Sequence, residues 1–150
     1  MKQDKSKVKF FILVILIITA LIILSCLYSM KKYLNSCGYG ISELPKAITV
    51  YLNIDPAQTI DEYNVTDKIN DEEYTYYKFI GRHDMSDIVE MMEEHGYVFK
   101  DQMGTALFFD KKGSNNPDNV YSVSIDGTED WCHWFRIYTI DEKIEDCLNN

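Results

Sequence analysis

The most concentrated reactive chemistry in this chain is the tetrapeptide GRHD at positions 81–84. Arg82, His83 and Asp84 put a guanidinium, an imidazole and a carboxylate into one turn between a strand and a helix, a place where function often sits. A small envelope hydrolase using these three residues is one reading of the loop. A capping role for Asp84 competes with that reading, because the residue stands just before an apolar pattern of helical period. A second stretch, WCHW at 131–134, sets Cys132 beside His133. Neighbouring residues of a strand point to opposite faces, so the two cannot ligate one metal together. His95 closes a helical pattern, where the dipole favours a cation over a catalytic base. Nucleophile-elbow, phosphate-loop, dinucleotide-glycine and calcium-loop patterns are absent from the sequence, and so is any CxxC. No catalytic residue, cofactor or metal is expected. The acidic runs at 71–73, 93–94 and 129–130 fit solvated surface.

Aromatic residues carry the alternative to catalysis. The chain holds 11 Tyr, 7 Phe and 2 Trp. In a strand over 131–140, Trp131, His133, Phe135 and Ile137 point one way, and Cys132, Trp134, Arg136, Tyr138 and Ile140 the other. Either both faces are covered, by a helix over 84–96 and a loop over 55–73, or one aromatic set is exposed. An exposed set rimmed by acids suits capture of a protein or a glycan. The candidate binding residues are Trp131, Trp134, Arg136 and Tyr138.

The elements that must position these residues are legible in part. KAITVYLNI (46–54) is rich in β-branched and aromatic residues and predicts a strand. The acidic stretch 55–73 predicts a long loop, and YTYYKFIG (74–81) a second strand. Asp84 as N-cap, Asp87 in the first turn, Ile88, Met91, Met92 and His95 on one face, and Gly96 after the end predict a helix over 84–96. Strands follow at 97–101, 105–112, 120–126 and 131–140, joined by turn formers such as GSNNPDN (113–119). In the strand at 120–126, Tyr121, Val123 and Ile125 alternate with Ser122, Ser124 and Asp126. A last helical turn falls near the C-terminus. Short connections imply antiparallel neighbours. The expected class is α+β: a two-layer domain, mostly antiparallel sheet with one main helix, over 45–150.

Residues 10–30 hold no charge, and as a helix they span about 31 Å, the thickness of a bilayer core. Four lysines precede them, Lys31 and Lys32 follow, and Tyr28 and Tyr33 stand at interfacial depth. A basic tail (1–9), a membrane anchor or signal segment (10–30) and a stalk (31–44) are expected ahead of the domain. ILSC, ending at Cys26, resembles a bacterial lipobox, which implies lipidation of Cys26 after cleavage. Ile23 stands where Leu is usual, and apolar residues continue past Cys26, which favours an uncleaved helix. Beyond Cys26 the chain has 11 Lys and Arg against 23 Asp and Glu, a net charge of −12. Such a balance repels nucleic acid. If the domain lies outside the cell, Cys132–Cys147 or Cys37–Cys147 is the expected disulfide.

These features lead to a single-pass cell-membrane protein with an extracytoplasmic binding domain, of bacterial type. Its expected partners are the lipid bilayer and an envelope protein or glycan. The rivals are the hydrolase and a structural subunit of a membrane complex.

Overall fold

The computed structural model describes residues 5–67, 72–114, 121–128 and 133–149. Trp131 and Cys132 lie outside them. The chain divides into two compact units, Met1–Leu44 and Pro45–Asn150.

The first unit is α1, Lys5–Ser36, followed by one 3-10 turn at Ile41–Glu43. From Lys7 to Ser36 the helix is long and apolar enough to cross a membrane, and its apolar window is not buried. The hydroxyl of Thr19 donates to the Ile15 carbonyl at 2.9 Å, so its polar group is satisfied within the helix. The helix continues past Met30 through Lys31 and Lys32, so the segment expected to be a stalk starts out helical. It stops where Gly38 takes φ +88° and the Tyr39 N–H donates to the Leu34 carbonyl at 2.9 Å.

The second unit opens with two departures from expectation. Residues Leu44–Tyr51 form a helix, α2, where β-branched content predicts a strand. Pro45 is preorganised for a first helical turn, and Ala47 and Val50 fall three apart on one buried face. That burial outweighs the few tenths of a kcal/mol that Ile, Thr and Val each cost in a helix. The acidic segment read as a loop instead contains β1, Ala57–Asp67, which pairs antiparallel with β2, Glu72–Gly81. Asp61 and Glu62 of β1 are exposed, so the strand carries its acids in solvent.

The helix α3 spans Met85–Glu94, with Asp84 as its N-cap accepting from the Ser86 N–H at 3.1 Å. Its buried face is Ile88, Met91 and Met92, worth roughly 2 kcal/mol per side chain. His95 closes it, with Nδ1 2.7 Å from the Met91 carbonyl oxygen, and Gly96 follows at φ +86°. Four strands come next: β3 (Tyr97–Met103), β4 (Ala106–Lys111), β5 (Val123–Gly127) and β6 (Arg136–Ile140), then a short α4, Ile144–Leu148. Val123 and Ile125 are buried and Asp126 is exposed, as the alternation requires.

The six strands form one antiparallel sheet in the order β1-β2-β6-β5-β4-β3. The fold is therefore α+β. One face joins Phe79, Leu107, Phe109, Ile125, Tyr138 and Ile140 to Ile88 and Met92 of α3 and to Ile144 and Cys147 of α4 in one core. On the other face Ile80 pairs with Ile137, and both are buried, as is Phe135. The sheet is thus covered on both sides at β2 and β6. Residues 57–67 are not the lid expected there, since they form the sheet's edge.

Candidate functional site

The pairing of β2 with β6 ends at Gly81 opposite Arg136. That register brings the GRHD turn beside the segment leading into β6, 50 residues on in sequence. The turn is held from beneath, where the Tyr138 hydroxyl donates to the Arg82 carbonyl at 2.9 Å. It is held from the side by α2. Asn53, in a left-handed conformation at φ +59°, presents its Oδ1 to the Arg82 guanidinium, which donates to it.

Between these elements lies a concavity of about 330 Å³. Val50, Tyr51 and Asn53 wall it from the end of α2, and Arg82 and His83 from the turn. Asp87 and Trp134 complete it. The Tyr51 and Trp134 rings meet edge to face, centroids 5.1 Å apart at 83°, an arrangement that fixes both rings. The His83 and His133 rings stand 6.4 Å apart. The chain's two arginines and two of its three histidines, in a strongly acidic domain, all belong to this end of β2 and β6.

Asp84 is committed to its helix. The Ser86 N–H and hydroxyl hold its carboxyl below the usual carboxylate range, with smaller help from the charges of His83 and Arg136. Its Oδ1 is therefore turned toward α3. Among the described residues no Ser, Thr or Cys lines the concavity, and no three His, Cys, Asp or Glu stand close enough to hold a metal ion. What the arrangement supplies is an aromatic wall, a guanidinium, an imidazole and a carboxylate.

Of the four candidate binding residues, the three that are described do not share one surface. Trp134 lines the concavity. Arg136 lies on the α3 side, where its Cδ would be 3.3 Å from a Cβ added at Gly127. Tyr138 is 0% exposed and stacks on Phe79 at 5.2 Å; a ring that deep cannot meet a partner. Trp131 lies outside the described residues. Arg82 and His83, drawn from the rival hydrolase reading, instead join Trp134. Tyr51 and Asn53 were hidden because their segment predicts a strand. As for the cysteines, Cys26, Cys37 and Cys147 are free thiols, and Cys132 lies outside the described residues. Burial pushes the Cys147 thiol up to about 11.

No protein-family model matches this chain, and no curated protein and no solved structure matches it either.

Proposed function

We propose that the chain is a membrane-tethered binding protein. α1 holds it in the lipid bilayer, and the domain over 45–150 works on the extracytoplasmic side. There the concavity of Tyr51, Arg82, His83 and Trp134 captures an envelope protein or glycan. One observation carries the reading: the arginine–histidine turn and Trp134, far apart in sequence, meet in one preformed concavity with its aromatic wall fixed. Preformed concave sites that join apolar walls to a few placed polar groups are the common form of ligand pockets. The four lysines ahead of Phe10, against two after Met30, support an N-terminus inside and the domain outside.

Calorimetric titration of the full chain in nanodiscs, against defined panels of soluble oligosaccharides and peptides, tests this. We expect saturable binding that falls at least tenfold in Trp134→Ala and in Arg82→Ala, with circular dichroism unchanged. Binding that is equally tight in both variants sinks the assignment of this concavity. Substrate turnover lost in His83→Ala would establish the hydrolase instead.

A further inference from the structure

The β1–β2 hairpin outruns the sheet. Among the described residues β6 pairs with β2 only from Tyr77 to Gly81, whereas β1 pairs with β2 out to Asp67 opposite Glu72. The outer five rungs form a two-stranded ribbon about 17 Å long. Such a ribbon has little stability of its own, yet this one keeps a regular side-chain pattern. Tyr63 faces Tyr76 and Val65 faces Tyr74 across the strands, so all four lie on one side. The Tyr63 and Tyr76 rings stack at 5.8 Å, while Val65 is 44% and Tyr74 43% exposed.

Two further observations say what this face receives. Asp61 and Asp67 share the side of Tyr63 and Val65 on β1, and the sequence from 61 to 78 carries six acids and two lysines in all, so the ribbon repels a second copy of itself and attracts positive charge. Moreover, Lys78 already sits over the Tyr63 ring, its Nζ 5.4 Å from the centroid. The ladder is therefore built to take an ammonium or guanidinium on its rings. The fold also closes the inner part of the same edge. At Thr59 the N–H and hydroxyl donate to the Glu145 carboxylate at 2.8 and 2.6 Å, and the carbonyl accepts from Lys46 at 3.0 Å. Docking is thereby confined to the outer ribbon.

We propose that the outer β1–β2 ribbon is a docking surface for a basic, extended segment of a partner protein. The partner's Lys or Arg side chains lie over Tyr76 and Tyr74, and the flanking carboxylates hold its charge. This surface is independent of the concavity at Trp134.

The test uses the full chain in nanodiscs and a fluorescent ten-residue peptide of alternating Arg and Ser, read by anisotropy. Expected is saturable binding that weakens steeply between 50 and 300 mM salt, as the Debye length falls from about 14 to about 6 Å, with a Glu–Ser peptide inert. Tyr74→Ser and Tyr76→Ser should each weaken binding about fivefold, and Trp134→Ala should leave it unchanged. If Tyr76→Ser unfolds the domain, Asp61→Asn with Asp67→Asn, both on the tyrosine side of the ribbon, replaces it, expected to flatten the salt dependence. Equal binding by the tyrosine variants, no binding of the peptide, or its displacement by phosphatidylcholine vesicles overturns the proposal. The last result would give the ribbon to the lipid surface.

Discussion

Tyr138→Phe separates a core role from a binding role with the loss of one oxygen. The ring is 0% exposed and stacked on Phe79, and phenylalanine keeps both the burial and the stacking. What disappears is the hydrogen bond to the Arg82 carbonyl, 2.9 Å long. A neutral hydrogen bond contributes about 1 kcal/mol net, and an acceptor left buried without a donor adds to the loss. Arg82 is half-buried, so water reaches that carbonyl in part and the expected cost is about 1–2 kcal/mol. For a domain near this size each kcal/mol lowers Tm by roughly 4–8 °C. The melting temperature should therefore fall by about 5–15 °C. Near-ultraviolet circular dichroism of the full chain in detergent reads that transition, and a urea series should show a lower midpoint at an unchanged slope. Binding at the concavity should weaken only as far as the Arg82–His83 turn loosens. Full stability with lost binding would refute the reasoning, because it would put the hydroxyl on the ligand and not under the turn.

Three other perturbations follow from the same packing. In Gly81→Ala the new Cβ would stand 2.8 Å from Ile88 Cδ1 and 3.0 Å from each of the Phe79 and Tyr138 rings; overpacking of about 1–3 kcal/mol should lower the urea midpoint, and an unchanged midpoint would contradict it. Burial pushes the Glu145 carboxyl up, but the Thr59 hydroxyl and N–H and the Lys46 charge bring it below its ordinary value. A carboxyl lowered by folding stabilises above its unfolded pKa and loses that contribution as pH falls through its folded pKa. Glu145→Gln should therefore flatten the acid limb of a stability–pH curve, and an identical limb in the variant would remove the role assigned to that contact. With the Cys147 thiol buried and pushed up to about 11, iodoacetamide at pH 8 should spare it in the folded chain. After denaturation without reductant it should alkylate in full, and a requirement for reductant would reveal a Cys132–Cys147 bond instead.

Local signals and long-range ones differed in how well the sequence exposed them. The helix α3 was readable because its cap, apolar face and terminating glycine lie within 13 residues, and β5 because its alternation needs only five. α2 was not, since Ile48, Thr49, Val50 and Tyr51 favour strands and only packing of Ala47 and Val50 decides for a helix. β1 was missed because acids suggest a loop, while its partner β2 supplies the pairing and solvent accepts the charge. The concavity was half legible. Arg82, His83 and Trp134 each drew notice, but as rival hypotheses, because no local pattern reveals that β6 pairs with β2. Tyr138 was misplaced for the same reason. Alternation says which residues share a face, and only the tertiary fold says which face is covered.

The central claim is a binding domain held outside the cell by α1, and protease accessibility tests it most directly. Spheroplasts of cells that make the full chain, treated with protease before and after permeabilisation, are probed for fragments of the domain over 45–150. We predict that the domain is digested in intact spheroplasts, leaving a membrane-embedded fragment that contains residues 10–30. A domain that survives intact until the membrane is breached would place it in the cytoplasm and contradict the proposed function.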